Sequence, residues 1–389
     1  MRLRLLRDLS PSAVVAGFVT VLVGYTSSAV IVFQAARASG GGPAEIASWM
    51  WALGLGMGVT CIGLSLRYRV PVVTAWSTPG AALLATSAVG LPMPAMIGAF
   101  LVSAVLMVVA GASGWFERGM SRIPVPLASG MLAGVLLRFG LDAFVAMKTQ
   151  LALGLAMFGI YLVGRRLWPR YAVVGVLALG VAIAQARGLL HLDAVRLELA
   201  RPIFTAPTFS VSALFGVAIP LFVVTMASQN VPGVAVLRAS GYGSTPISPL
   251  ITWTGLATVV TAPFGGYALN LAAITAAICM GREAHEDPAR RYVAAVAAGA
   301  FYVLLGLFAA TVGALFAAFP RELVWSVAGL ALFNTIGGGL AAAVADPDHR
   351  EPALVTFLVT ASGLSLFGVG AAFWGLVAGL VATLVVRRR

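Results

Sequence analysis

The sequence predicts an all-α polytopic membrane protein. About fourteen transmembrane segments are expected, in two inverted seven-span repeats with short extended pieces in spans 3 and 10. Three observations carry this. The 389 residues are 60% hydrophobic and only 10% charged, against about 25% charged in a soluble domain. The mean hydropathy is +0.98, and the apolar blocks recur at the roughly 20-residue length of a bilayer crossing. Two of these blocks, 70–85 and 262–278, are interrupted in the same way at matched places in the two halves.

In chain order, spans are expected at 11–36, 44–66, 70–89, 92–113, 124–142, 149–167 and 170–188. A polar, amphipathic connection runs from Leu189 to Ser210. The second set falls at 211–233, 248–264, 265–280, 290–317, 321–344, 352–367 and 368–386; Ser362-Gly363 and Gly368 either part the last two or let them merge. The first repeat is thus 1–190 and the second 205–389. Met1 to Asp8 is basic, but the apolar stretch behind it reaches Phe33, too long for a signal-peptide core.

Charge tests the count. With the amino terminus in the cytoplasm, most of the 25 Lys and Arg residues fall inside, including Arg387, Arg388 and Arg389 at the carboxyl end. Outside lie Arg37, Lys148, Arg187, Arg196, Arg201 and Arg321, and Arg138 is within a span. This is the positive-inside bias. An odd number of spans per half then forces the halves to be inverted relative to one another. The net charge of +12 does not indicate a nucleic-acid partner, because the basic residues sit in short loops between apolar spans. Cys61 and Cys279 lie in apolar segments, so no disulfide or metal site is expected. His191, His285 and His349 fall in loops. With no HExxH, Walker A or CxxC motif, neither an enzyme nor a cofactor is indicated.

The interrupted spans have a physical logic. Pro71 cannot donate a backbone hydrogen bond, and Val72, Val73 and Thr74 favour extended structure. Ser77 or Thr78 suits a helix cap, with Pro79 in the first turn. In the second segment Pro263, Gly265 and Gly266 break the helix, Tyr267 to Leu271 can run extended, and a half-helix follows from Ala272 to Met280. Extended backbone at membrane depth is tolerated only inside protein or along a cavity, so pairing the two pieces is the simplest solution. Each half-helix would then start near the bilayer centre, with roughly +0.5 of a charge at its amino end. Two such ends make an anion site. Paired broken helices are also the sequence pointer to a transporter's substrate site.

Polar residues surround these segments. Tyr25-Thr26-Ser27-Ser28 is mid-span in the first helix, and Ser228-Gln229-Asn230 is near the end of the eighth. The serines and threonines either bond neighbouring helices or line the site. Gln229 and Asn230 are costly in hydrocarbon and point to the site. Asn270 is either a ligand or a partner for unwound backbone. Trp76 and Tyr267 are either aromatic walls or ordinary packing. Arg138 and Asp142 have the i, i+4 spacing of an ion pair, and Asn334 fits close helix packing. The charged loops 281–291 and 346–351 read as solvated.

Three stretches, Pro71 to Gly80, Ser228 to Gly233 and Pro263 to Ala276, resemble the benzoate:proton symporter (BenE) family, as does Gly281-Arg-Glu-Ala-His-Glu-Asp-Pro288. The resemblance covers essentially the whole chain. More distantly the plan is similar to uracil/xanthine and sulfate permeases. It implies a core domain from spans 1–4 and 8–11 (about 11–113 and 211–317) and a gate domain from spans 5–7 and 12–14 (about 124–188 and 321–386). It further implies alternating access, a bacterial inner-membrane location with both termini cytoplasmic, and a homodimer through the gate. Nucleobase permeases carry carboxylates on spans 8 and 10. This chain has none there, which suits an anion and leaves a coupled proton without an evident carrier. The expected ligand is an aromatic carboxylate, benzoate, entering with a proton. Its carboxylate would sit at the helix starts near Thr78 and Ala272, bonded by Thr26, Ser77, Gln229 and Asn270, with Tyr25, Trp76 or Tyr267 on the ring. Ser27 and Asn230 complete the candidate set. A transporter or channel for another anion is the alternative.

Overall fold

The computed structural model describes residues 8–88, 90–114, 116, 124–168, 172–190, 196–281, 284–312, 318–364, 366 and 371–386. Helices dominate. The first half contains α1 (Pro11–Ala38), α2 (Pro43–Tyr68), a short strand β1 (Thr74–Trp76), α3 (Thr78–Ser87), α4 (Met93–Ala112), α5 (Val125–Val145), α6 (Leu151–Leu167) and α7 (Ala172–Ala186). In the second half α8 covers 211–239 and carries two π-helical turns, Leu214–Ala218 and Met226–Asn230. Then come α9 (Ile247–Thr261), β2 (Leu269–Leu271), α10 (Ile274–Met280), α11 (Tyr292–Leu307), α12 (Arg321–Ala345), α13 (Arg350–Ala361) and α14 (Ala371–Val386). Among the described residues, five helices are long and apolar enough to cross a membrane alone, and six if α1, bent by 43°, is counted as one span.

The two halves open alike. Ser10 caps α1 by accepting from the Ala13 N–H at 3.2 Å, and Ser210 caps α8 by accepting from the Ala213 N–H at 3.2 Å. Each capping hydroxyl also meets that of the serine two residues on, Ser12 at 3.0 Å and Ser212 at 3.2 Å. The expected extended pieces pair as an antiparallel ribbon, with Thr74 opposite Leu271, Ala75 opposite Asn270 and Trp76 opposite Leu269.

Small residues set the helix packing. Helix α2 lies along α11 and α4 along α9. A Cβ added to Gly54 would lie 2.6 Å from the Gly306 Cα, and one added to Gly58 would lie 2.7 Å from the Gly299 carbonyl oxygen. The α4–α9 seam repeats the device: a Cβ on Gly111 would lie 2.7 Å from the Thr252 nitrogen, and one on Gly255 3.0 Å from the Val108 nitrogen. In a bilayer no hydrophobic drive joins helices, so close van der Waals approach does the work. One large apolar cluster joins α1–α4 and α8–α11, including Met50, Leu53, Phe100 and Tyr302, and reaches Phe139 of α5 and Ile336 of α12. A second, with Leu153, Met157, Val176, Leu323 and Val327, joins α6, α7 and α12.

Three features add to or change the expectations. The polar, amphipathic connection carries no helix over its residues 196–210, which form an extended strap. Its backbone N–H groups bond Leu307 O (from Ala200), Pro263 O (from Thr205) and Pro94 O (from Thr208), and Ile203 N bonds the Ser48 hydroxyl. The strap thereby ties the ends of α2, α4, α9 and α11. Secondly, the loop after α10 is not wholly solvated. Arg291 is buried and donates to the carbonyls of His285 (2.7 Å), Met280 (2.9 Å) and Glu286 (3.3 Å), placing a cation at the carboxyl end of α10 where the helix dipole favours it. Thirdly, Arg138 and Asp142 form no ion pair within 4 Å among the described residues. At the carboxyl end of α2, the Arg69 guanidinium donates to the Tyr292 hydroxyl at 2.6 Å, that hydroxyl donates to Asp8 at 2.9 Å, and Arg69 also bridges to Asp8 at 3.4 Å. In the loop before α13, His349 Nδ1 lies 2.6 Å from Asp346, a contact that holds the Asp346 carboxyl below its ordinary range. The Asn334 side chain and His191 lie outside the described residues.

The α2–α11 seam yields a test. Gly58→Ala should lower thermal stability in detergent by about 1–3 kcal/mol, the cost of overpacking. Gly63→Ala on the same helix, where an added Cβ meets nothing within 4 Å, should leave it unchanged or higher.

Candidate functional site

The ribbon is the centre of the candidate site. Its residues are buried or nearly so, and each strand leads within two residues into a short helix. Between the strands, Ala272 N bonds Val73 O at 2.9 Å and Ser77 N bonds Ala268 O at 3.1 Å. The outward N–H groups have no third strand, so side chains supply partners. Thr74 N donates to Cys61 Sγ at 3.2 Å, Leu269 N to Thr258 Oγ1 at 3.1 Å, and Leu271 N to Asn230 Oδ1 at 3.0 Å. Thr60 and Thr74 share a hydroxyl contact of 2.6 Å. Unpaired buried backbone groups cost free energy comparable to a lost hydrogen bond, which is why polar side chains gather here.

The bend into β2 is made by Gly265 at φ 93°, where an added Cβ would strike the Trp49 ring. Ala268 has φ 38°, a positive value that a residue with a Cβ rarely takes. Its carbonyl accepts from both Ser77 N and Asn270 Nδ2, the latter at 3.0 Å. Those two bonds hold the unusual backbone in place.

The two helix starts differ. Helix α3 begins at Thr78 as expected, but Ser77 is spent on it: its buried hydroxyl accepts from Gly80 N at 3.0 Å. Pro79 has no N–H. The Thr78 N–H, with the Trp76 N–H, is left without a partner among the described residues. Helix α10 begins at Ile274 rather than Ala272, because Ala272 still belongs to the strand pairing, and no side chain caps it. The uncapped start is therefore the one with more free backbone donors.

The remaining candidates separate into groups. Tyr25 and Trp76 pack edge to face with centroids 4.9 Å apart, and Trp76 Nε1 donates to Ser28 Oγ at 3.0 Å. Tyr267 is elsewhere, fully buried between Trp49 (5.9 Å) and Phe100 (5.7 Å); it packs rather than lines an opening. Asn270 is fully buried, with its Oδ1 unpartnered among the described residues. Asn230 is committed to β2. Gln229 is half-buried and has no hydrogen-bond partner among the described residues. The side chains of Thr26 and Ser27 lie outside the described residues. Sequence reasoning missed Cys61, Thr60, Thr258 and Ser28 as partners of the ribbon and its tryptophan. The available signal was that an extended piece needs partners, and mid-span hydroxyls or thiols on α1, α2 and α9 are what can supply them. No group of three or more metal-ligating side chains occurs among the described residues.

Comparison with known proteins gives the family and the fold. The model of a family described as benzoate membrane transport protein matches residues 7–385. The inner membrane protein YdcO of Escherichia coli is 49% identical over 379 residues, 97% of each chain. The benzoate membrane transport protein of Acinetobacter baylyi is 40% identical over 380 residues, 98% of this chain and 96% of that one. Among solved structures, the transmembrane domain of the cyanobacterial bicarbonate transporter BicA superimposes with a TM-score of 0.57 at 14% identity, covering 97% of both chains. Murine Solute Carrier 26 family member A9, an anion transporter in the inward-facing state, gives 0.58 at 11% identity, covering 96% of this chain and 68% of that one. At such identities these two likenesses speak for the fold alone.

Removal of the Ser77 hydroxyl tests the capping assignment. Ser77→Ala should cost about 1 kcal/mol of stability, and Ser77→Asn, which keeps a capping oxygen, should restore most of it. Thermal unfolding of the purified protein reads both.

Proposed function

This chain belongs to the benzoate membrane transport protein family and is a membrane transport protein rather than an enzyme, and from that premise we propose that it imports benzoate together with a proton by alternating access. The observation that carries the proposal is the ribbon with a short helix leaving each strand, beside a Gln229 amide that has no partner among the described residues. An anion is suited to such a place. The α10 start offers backbone N–H groups, while the Trp76 and Thr78 N–H groups lie at the other end of the ribbon, where Trp76 pairs with Leu269. No Asp or Glu stands in 225–231 or 267–281 to repel a carboxylate. In the proposed complex the carboxylate takes its bonds from the α10 start and from Gln229, and the edge-packed Tyr25 and Trp76 border the ring.

The larger plan is part of the proposal. Fourteen spans form two inverted repeats, 1–190 and 205–389, with both termini cytoplasmic in a bacterial inner membrane. The matched Ser10 and Ser210 caps and the paired α2–α11 and α4–α9 seams support the repeat. Spans 1–4 and 8–11 are the moving core, and spans 5–7 and 12–14 are the gate. The core is laced at one end by the strap and at the other by the Asp8–Arg69–Tyr292 cluster, as a rigidly moving body requires. A gate-to-gate homodimer completes the assembly.

Uptake into proteoliposomes decides the substrate. Labelled benzoate should accumulate under an inward proton gradient, and Gln229→Ala should weaken its apparent affinity about tenfold or more. If benzoate neither enters nor competes, the substrate is another anion; if it only equilibrates without regard to the gradient, the protein is a channel.

A further inference from the structure

Asn230 is fully buried, and both ends of its amide are engaged: Oδ1 accepts from Leu271 N at 3.0 Å and Nδ2 donates to Met226 Sδ at 3.1 Å. It is the last residue of the π-helical turn Met226–Asn230. One extra residue in a helical turn rotates the side chains after it by about 100°, and such turns recur at functional sites. One turn further on, α8 touches β2 again: a Cβ on Gly233 would lie 2.7 Å from the Leu271 Cβ and 2.9 Å from its carbonyl oxygen. Asn230 thus engages the backbone of the last residue of β2, three residues before α10 begins. The neighbouring Gln229 differs in both respects, being half-buried and unpartnered among the described residues.

We propose that Asn230 is a positioning residue for the transported anion, acting through the Leu271 N–H on the placement of β2 and the start of α10 without touching the ligand. The proposal rests on the transport reading above. It assigns the adjacent pair separate work, Gln229 to the ligand and Asn230 to the backbone that presents the donors. A binding group held loosely loses its geometry, so loss of the Asn230 bond should weaken all ligands that use the α10 start, whatever their other substituents.

The test uses the full-length protein in proteoliposomes with benzoate, a ring-substituted benzoate and a non-aromatic carboxylate as competitors, together with amide hydrogen exchange over 269–271. Asn230→Ala should weaken all three by one common factor, about tenfold or more, and speed exchange at Leu271. Gln229→Ala, which removes a bond to the carboxylate that all three share, should weaken them likewise but leave exchange at Leu271 unchanged. Leu271→Pro removes the N–H itself, so the double variant Asn230→Ala/Leu271→Pro should fall within about threefold of Leu271→Pro alone. Ligand-dependent factors for Asn230→Ala, unchanged exchange at Leu271 or full additivity in the double variant would each overturn the proposal. Should Asn230→Ala not fold, Asn230→Ser carries the same readings. If the wild-type protein takes up no benzoate, the substrate reading falls, while unchanged exchange at Leu271 in the variant would by itself overturn the role given to Asn230.

Discussion

A buried strand needs partners for the backbone N–H groups it turns away from its neighbour, and this structure is arranged to supply them at Thr74, Leu269 and Leu271. Two three-residue strands satisfy only their facing edges. Their outer edges are met by a thiol from α2, a hydroxyl from α9 and an amide from α8. Placing those side chains requires the three helices to press against the ribbon at fixed heights. The glycine seams allow that approach, and the π-helical turn in α8 aims the amide. The fold around the site therefore follows from hydrogen-bond satisfaction in a low-dielectric interior, where an orphaned polar group is costly.

The same accounting breaks the likeness between the two halves. Ser77 and Pro79 use up or remove most donors at the start of α3, whereas nothing caps α10. Two segments built on one plan thus make unequal contributions to an anion site. Asn230 and Gln229, adjacent in the chain, diverge for a related reason. One amide is consumed by backbone, and the other has no such partner among the described residues.

Much of this was legible from composition and pattern. The apolar blocks located most of the helices to within a few residues, though the blocks 290–317 and 352–367 overran helices that end at Leu307 and Ala361, and the Pro and Gly interruptions located both strands. Thr78 was placed correctly as the start of α3 because a Ser-Thr-Pro run has few other uses. The start of α10 was two residues early, since Ala272 has no local signal to say that it pairs with Val73. The strap at 196–210 escaped for a similar reason. Its bonds go to distant carbonyls such as Leu307 O and Pro94 O, and no local periodicity records them. Arg291 read as a solvated charge because its three carbonyl partners exist only once the loop has folded back over it.

By itself, then, the sequence determined which segments leave water, where two of them must unwind, and that no acid stands in the stretches around those breaks. These are consequences of side-chain transfer energies and backbone preferences, which each residue carries with it. Only the tertiary structure decided which polar groups remain free. Whether Ser77, Asn230 or Gln229 is available to a ligand depends on what lies within about 3 Å of it, and that is settled by residues tens or hundreds of positions away. Tyr267 shows the same divide: its chemistry allowed an aromatic wall, and Trp49 and Phe100 enclosed it as packing.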